Sequence, residues 1–505
     1  MAEEIELKLA LPESEQQRFL KHPLLGQAVS RQAGPLLNLY YDTPDLALHR
    51  KGIALRLRRK GRLWLQTVKC AGASEAGLSA RPEWETPYGG HFDFSSVTDP
   101  KVRKWLERPA IKDRIAPLFE TNFRRITWRF EPAPGNVVLV MQDRGWIAAA
   151  GRREAISEVE LELAEGPVAP LFAIARQLAE RIALTPALLS KAERGYRIFS
   201  AIPDAPIKAG ISLLQAEMPP LAAFRRIALD CLEHLQANHA GALKHEDPEY
   251  IHQMRVATRR LRAALRLFAP QLPAALARDL LPPLRELMAL LGQARDLDVL
   301  RMEIVQPVVA ALPDEPRLAA LAGLITEHQY EARRHALAAL GDRKYGRLML
   351  LATTLLHGLP ENPAEPSVTT LAQFAARRLR RQRRKVLALA AAASPDQPAS
   401  FHAVRIAIKR LRYSLEFFAP LMPARTTRRL LLPLAALQDQ LGQLNDLASA
   451  GDLLCRCASN DARLREAVTL IGGWHGQRHG DLLARIPPAL ARLGKFRLPT
   501  LDGND

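Results

Sequence analysis

Charged and aliphatic side chains alternate with a period of two in Glu4-Ile5-Glu6-Leu7-Lys8-Leu9, and the alternation returns in segment after segment as far as residue 164. Period two is the geometry of a strand, whose successive side chains point to opposite faces. Glu4, Glu6 and Lys8 therefore share one face, and Ile5, Leu7 and Leu9 share the other. Over 53–60, Arg56, Arg58 and Lys60 face away from Ile53, Leu55 and Leu57; over 62–70, Thr67 and Lys69 are in phase. Arg81, Glu83 and Glu85 alternate within 80–87, as do Arg125, Thr127 and Arg129 within 123–130. Glu158, Glu160 and Glu162 oppose Val159, Leu161 and Leu163 within 157–164. Further strands are expected at 3–10, 36–43 and 136–143, and helices near 13–22, 99–107 and 168–183.

A solvated face of an antiparallel sheet accounts for any one of these segments. It does not account for the sorting: two strands are acidic and at least three basic, with few neutral polar residues among them. A closed barrel with a charged lumen, an aliphatic outer surface and helices packed outside satisfies both faces at once. Carboxylates suit hard divalent cations, and crowded Lys and Arg, which repel one another unless an anion lies among them, suit a compact polyanion such as a triphosphate.

Near Ser200 the texture changes. AIPDAPIKAG reads as a linker, assigned to 201–212, and beyond it the chain is rich in Ala, Leu and Arg with a 3.6-residue period. Proline-rich punctuation falls at 358–367 and 394–399. The expected organisation is an α+β domain over 1–200 and an all-helical bundle over 213–500. The helical part repeats itself. IHQMRVATRRLRAALRLFAP starts at Ile251 and FHAVRIAIKRLRYSLEFFAP at Phe401; Leu291-Gly292-Gln293-Ala294-Arg295-Asp296-Leu297 and Leu441-Gly442-Gln443-Leu444-Asn445-Asp446-Leu447 share the same offset of 150. Two matches at one offset indicate a tandem duplication, with repeats of about 213–357 and 368–500.

On a helix, His252, Arg255, Arg259, Arg262 and Arg266 fall within an arc of about 80°, opposite Met254, Ala257, Leu261, Leu265 and Phe268. In the second copy His402, Arg405, Lys409 and Arg412 repeat the arc, and Glu416 takes its fifth place. The run Arg377, Arg378, Arg380, Arg381, Arg383, Arg384 and Lys385 adds to it. Lys and Arg number 71 against 53 Asp and Glu, a net charge of +18 of which +12 lies beyond residue 200. A surplus of this size implies a polyanionic partner: nucleic acid, an anionic membrane surface or a phosphate polymer. Two related basic helices would form a groove for an extended polyanion. Aromatic side chains on which bases could stack are few there, which ranks nucleic acid low.

The EIELK start, YYDTPD at 40–45, LRLR at 55–58, TVK at 67–69, the F-x-R-x-x-W of Phe123 to Trp128, the E-x-E at 158–160 and LSKAERGY at 189–196 together resemble a CYTH domain. That family of triphosphate tunnel metalloenzymes includes inorganic triphosphatases, thiamine triphosphatases and class IV adenylyl cyclases. The resemblance implies an eight-stranded antiparallel tunnel that binds triphosphates with Mg²⁺ or Mn²⁺. It implies Glu4 and Glu6, with Glu158 and Glu160, on the metal side, and Lys8, Arg56, Arg58, Lys69, Arg125 and Lys191 on phosphate. Arg81, Glu83 and Glu85 are lumen-facing contributors, and Glu162 lies near the mouth. Arg59 and Arg194 are read as structural or outward. Asp143 sits where the family often has another metal-side or water-positioning carboxylate. Lys8, Asp143 and Lys191 are the expected catalytic residues, with the general base open among Glu158, Glu160, Asp143 and a lysine. The H-x-x-R-[VI]-x-x-[RK]-R-L-R repeats and the two L-G-x-x-x-D-L segments resemble a CHAD domain over about 210–495. This resemblance implies polyphosphate binding by His252, Arg255, Arg259, Arg262, His402, Arg405, Lys409 and Arg412, with Asp296 and Asp446 orienting arginines.

The expected function is metal-dependent hydrolysis of inorganic triphosphate to diphosphate and phosphate, with polyphosphate bound by the helical domain. The alternatives are a non-catalytic polyphosphate-binding or granule-associated protein, and an enzyme acting on an organic triphosphate. No Ser, Cys or His constellation suggests a covalent route, and no G-x-x-x-x-G-K-[ST] loop is present. Cys70, Cys231, Cys455 and Cys457 have no zinc-site spacing and read as reduced, buried thiols. No signal peptide or membrane span is apparent, and the expected compartment is the cytoplasm.

Overall fold

A computed structural model describes residues 3–360, 369–394, 397–458, 461–495 and 497–501. Parts of both proline-rich stretches, 361–368 and 395–396, lie outside the described residues. The chain forms two compact units: one takes in residues up to Ala205 together with Gly341–Thr354, the other Pro206–Leu340 and the chain from Leu355 onward.

The first unit is built on β1 (Glu3–Ala10), β2 (Ser30–Asp42), β3 (Ile53–Lys60), β4 (Leu63–Cys70), β5 (Ala73–Glu75), β6 (Leu78–Pro87), β7 (Ala116–Ala133), β8 (Asn136–Ala149), β9 (Arg152–Glu165) and β10 (Thr185–Pro186). Eight of them run β1-β9-β8-β7-β2-β3-β4-β6 in antiparallel order, and β6 returns onto β1, with Ile5 opposite Ala80, to close a barrel. β5 extends the edge of β6, and β10 adds to β1. Closure leaves no free edge along the eight strands.

The expected strands are all present, and β1 and β3 have the expected ends. β2, β7, β8 and β9 are longer than the alternation indicates. The segment Ser30–Pro35 carries the turn-forming pair Gly34-Pro35, yet it pairs with β7 (Gly34 opposite Arg125) because the 18-residue β7 offers it a template. The aliphatic faces point outward as expected. Leu7, Leu9, Val138, Val140, Val159 and Leu161 are buried beneath the helix Ala169–Ala179, which contributes Leu171, Phe172, Ala175 and Leu178. Leu350, from the Gly341–Thr354 segment of the same unit, completes this core. The helix expected near 13–22 is a 3₁₀ turn, Glu13–Glu15, followed by Gln16–Leu20.

The second unit is almost all helical. The helix Pro248–Leu267, the turn Ala269–Gln271 and a helix beginning at Ala274 are matched, 150 residues on, by Pro398–Phe417, Ala419–Leu421 and a helix beginning at Ala424. The expected apolar arc is the buried one: Met254, Ala257, Leu261, Leu265 and Phe268 are at most 1% exposed. Phe268 and Phe418, equivalent at that offset, pack together at 6.0 Å between ring centroids. The two segments differ after Val299, where the first continues in a π turn, Leu300–Val305, and the second stays α-helical to Ala458. No helix among the described residues is long and apolar enough to cross a membrane. The four cysteines are free; Cys231 and Cys457 are buried as expected, but Cys70 is half-buried and Cys455 exposed.

Candidate functional site

Strand register brings the charged residues of the barrel into one lumen. Lys8 lies opposite Glu160, Asp143 opposite Glu158, and Arg125 opposite Asp143. On the other wall Glu4 lies opposite Arg81, Lys69 opposite Glu83, and Arg56 opposite Thr67. Together they surround a cavity of about 490 Å³, lined by Glu4, Glu6, Lys8, Arg56, Arg58, Lys69, Arg81, Glu83, Glu85, Arg125, Glu160, Glu162 and Lys191 among others. Asp143 and Glu158 are more deeply buried, at 1% and 3% exposure.

Asp143, Glu158 and Glu160 form a cluster whose oxygens lie within 4.8 Å of one another. Lys191 is held by all three: its Nζ is 2.6 Å from Asp143 Oδ2, 2.9 Å from Glu160 Oε1, and against Glu158 Oε1. Arg125 donates to both oxygens of Asp143, at 2.7 and 2.6 Å, and to Glu160. Arg194 reaches Glu158 at 3.1 Å and Glu154 at 2.6 Å, so it buttresses the cluster from outside the cavity, in keeping with the structural role expected of it. Glu4 and Glu6, placed by resemblance on the metal side, are also paired with cations, as the three clustered carboxylates are. Glu4 pairs with Lys69 at 2.5 Å, and Glu6 with Lys8 at 2.5 Å and Arg81 at 3.0 Å. Glu83 joins Lys69 and Arg56 at 2.9 and 3.2 Å.

Burial sets the protonation of these groups against their partners. It opposes the charge of Lys191, but Asp143, Glu158 and Glu160 outweigh it and raise the ammonium far above its ordinary range. Burial likewise opposes the charge of Glu160, yet Lys191 and Arg125 hold its carboxyl well below the usual range. In Glu158 burial wins over Lys191 and the pKa is raised. Glu162, in the cavity wall, is pushed up to about 7 by burial and by Glu4. Arg58 is lowered to about 10 by burial, then by Arg56 and Arg125. Three clustered oxygen donors of this kind fit a hard divalent cation.

Among the lumen residues not assigned to the site from sequence are Asn38, Tyr40 and Phe123. Asn38 is buried, donates to Thr121 Oγ1 at 2.9 Å and accepts from Arg58 Nε at 3.1 Å, fixing that guanidinium. The ring of Phe123 lies 5.0 Å from Lys191 Nζ and 5.6 Å from Arg125 Cζ, a cation–π floor beneath both. The spacing of Asn38 and Tyr40, two apart on a strand, was the available signal.

Local sequence also explains how Lys191 is delivered. It is the first residue of the helix Lys191–Phe199, whose start is fixed by a capping box between Ser190 and Glu193. A Cβ at Gly195 would meet the Phe119 ring at 2.1 Å, so only glycine lets this helix lie so close to β7. Tyr196 donates to Asp42 Oδ2 at 3.1 Å, and Asp42 also accepts from the amides of Thr43, Leu48 and His49. The YYDTPD motif is thus an anchor for this helix.

In the second unit the basic arcs meet around Lys409, which is surrounded by Arg259, Arg405, Arg255 and Arg412. Burial, then these four guanidiniums, push its ammonium down to about 6. Arg255 pairs with Asp296 at 3.5 Å, the orienting contact expected of that aspartate. His402 Nδ1 bonds Asn445 Oδ1 at 2.7 Å, while Nδ1 of His252 and Nε of Arg259 and Arg262 are buried without a hydrogen-bond partner among the described residues. Glu416, the odd member of the second arc, has a use the sequence did not reveal: it joins Arg260 of the other helix at 2.7 Å and Arg412 of its own at 3.1 Å.

Comparison with known proteins follows the same division. The CYTH domain profile matches residues 2–196 and the CHAD domain profile residues 226–455. The inorganic triphosphatase of Haemophilus influenzae is 30% identical over 201 residues, 40% of this chain and 56% of that protein. The chain therefore spans little more than half the length of this curated relative. The solved CHAD domain from the plant Ricinus communis is 36% identical, with a TM-score of 0.50, over 59% of this chain and 98% of its own.

Proposed function

Because this chain carries a CYTH domain followed by a CHAD domain, we propose that its barrel hydrolyses inorganic triphosphate to diphosphate and phosphate and that its helical unit binds inorganic polyphosphate. One observation carries the first part: a closed lumen in which three buried carboxylates face cations from several strands, enclosing a volume suited to a small ligand. Lys8, Arg125 and Lys191 on one wall and Arg56, Arg58, Lys69 and Arg81 on the other bind the three phosphates. They neutralise the charge that develops on the departing diphosphate. Asp143, Glu158 and Glu160 would hold the divalent cation, with Glu4 and Glu6 adjoining. That cation, when bound, supplies charge neutralisation and activation of water. The seven Lys and Arg side chains that line the cavity outnumber what one terminal phosphate needs, which favours a ligand that is phosphate throughout.

Phosphate release from tripolyphosphate, ATP and thiamine triphosphate, each with Mg²⁺ or Mn²⁺, tests this reading. Tripolyphosphate should be fastest. Faster turnover of either organic triphosphate overturns the substrate assignment, and no turnover of any leaves a polyphosphate-binding protein.

The polyphosphate reading of the helical unit is supported by the cluster of Arg255, Arg259, Arg405, Lys409 and Arg412. The matched element boundaries in the two halves of this unit support an internal duplication.

A further inference from the structure

Lys191 is the first residue of a fixed helix, and its ammonium sits at the centre of the three carboxylates that suit a divalent cation. Arg125 completes their neutralisation with a bidentate grip on Asp143 and a third bond to Glu160. The same two side chains are those best placed to bind phosphate on this wall, since both border the cavity.

We propose that Lys191 and Arg125 are exchangeable counter-ions: they neutralise Asp143, Glu158 and Glu160 until a triphosphate draws them into the cavity, so that binding of triphosphate and binding of divalent metal promote each other. The inference rests on the triphosphatase reading and adds to it an order of events within the site.

The physical reason is charge balance under burial. Asp143, Glu158 and Glu160 are 1%, 3% and 6% exposed, and carboxylates so buried are costly unless paired. An ammonium and a divalent cation cannot share the same few oxygens, because like charges at such separations repel strongly in a poorly solvated site. Lys191 must therefore leave before the cluster can hold metal, and once released it needs an anion of its own. A triphosphate in the cavity is that anion. The backbone need not move: Ser190, Glu193 and Gly195 fix the helix, and a lysine has four rotatable side-chain bonds. Phe123 lies under both cations and keeps a favourable face beneath them. Linkage makes the effect reciprocal, so whatever factor triphosphate gains from metal, metal gains from triphosphate.

The test separates the two ligands. Mn²⁺ is titrated without phosphate, following the electron paramagnetic resonance signal of the free ion. Imidotriphosphate, which resists hydrolysis, is titrated calorimetrically in the presence of EDTA. Lys191→Met should bind Mn²⁺ about tenfold or more tighter than the unaltered chain, and metal-free imidotriphosphate about tenfold or more weaker. A lysine that only binds phosphate, or only supports the fold, gives unchanged or weaker Mn²⁺ binding in a variant of unaltered circular dichroism, and that result overturns the exchange. Arg125→Met carries the same expectation and decides the matter if Lys191→Met does not fold. Mn²⁺ binding that neither substitution tightens removes the exchange alone. Failure of the unaltered chain and both variants to bind Mn²⁺ removes the metal reading beneath it as well.

Discussion

Single residues in this protein are set by what neutralises them. Asp143 contacts both Arg125 and Lys191 and belongs to the acidic cluster, so Asp143→Asn removes one charge from a balanced set. We expect tripolyphosphate turnover to fall by about 10²-fold, the usual scale for one preorganised electrostatic group, with weaker Mn²⁺ binding; phosphate release and metal titration check both. Lys409 is the opposite case, a cation among cations. With its pKa lowered to about 6, the folded chain binds fewer protons than the unfolded chain between about pH 6 and the ordinary lysine value near 10.5. Lys409 therefore penalises the fold, fully below pH 6 and progressively less as pH rises toward 10.5. Lys409→Met should raise the melting temperature by a few degrees at pH 7 in phosphate-free buffer, with the gain shrinking toward pH 10. Polyphosphate, by supplying an anion, should restore the charge, so its binding near pH 7.5 should take up a proton, measurable by calorimetry in buffers of different ionisation enthalpy.

At the scale of elements, the helix Lys191–Phe199 decides whether the lumen is complete. Gly195→Ala would drive a methyl into Phe119 and shift the helix, at a cost of about 1–3 kcal/mol. Ser190→Ala removes one side of the capping box, about 1 kcal/mol. Both should lower tripolyphosphate turnover through displacement of Lys191, Gly195→Ala the more, and thermal melts with steady-state kinetics distinguish stability from activity. The bond between Arg260 and Glu416 ties the helix Pro248–Leu267 to Pro398–Phe417. A double-mutant cycle to Ala should give a coupling of about 0.5–3 kcal/mol, and additivity would show that the bond contributes nothing.

For the whole molecule, the barrel unit extends beyond the residues that run continuously through it. Gly341–Thr354 groups with the barrel, and Leu350 is fully buried in its core. A chain ended at Ala205 exposes the surface that Leu350 covers, about 1.5–3 kcal/mol for that side chain alone. We expect such a fragment to melt below the barrel transition of the full chain, and differential scanning calorimetry of the two reads this directly. The net charge of +18 acts on the same scale. Polyphosphate binding should weaken steeply with added salt, and Arg255→Glu with Arg405→Glu should abolish it; affinity insensitive to both would remove the groove.

The alternation of Glu4, Glu6 and Lys8 with Ile5, Leu7 and Leu9, repeated in β3, β4, β6, β7 and β9, was enough to determine a barrel with a charged lumen. Period two leaves a strand no choice of face, and aliphatic residues must go where water is not. The helical periodicity and the 150-residue offset determined the second unit in the same way. Which charges meet across the lumen was not legible, because it depends on register between strands far apart in sequence. Resemblance put Glu4 and Glu6 on the metal side but could not say that they pair with Lys69, Lys8 and Arg81, or that Asp143 gathers with Glu158 and Glu160 around Lys191. Glu416 interrupted a basic arc in the sequence; the fold gives it a partner, Arg260 of the helix Pro248–Leu267. The membership of Gly341–Thr354 in the barrel unit has no local signature at all. Sequence determined the faces, since side-chain direction is a local property of the backbone. Tertiary structure alone decided the partners, since an ion pair exists only between groups that the fold brings within a few ångströms.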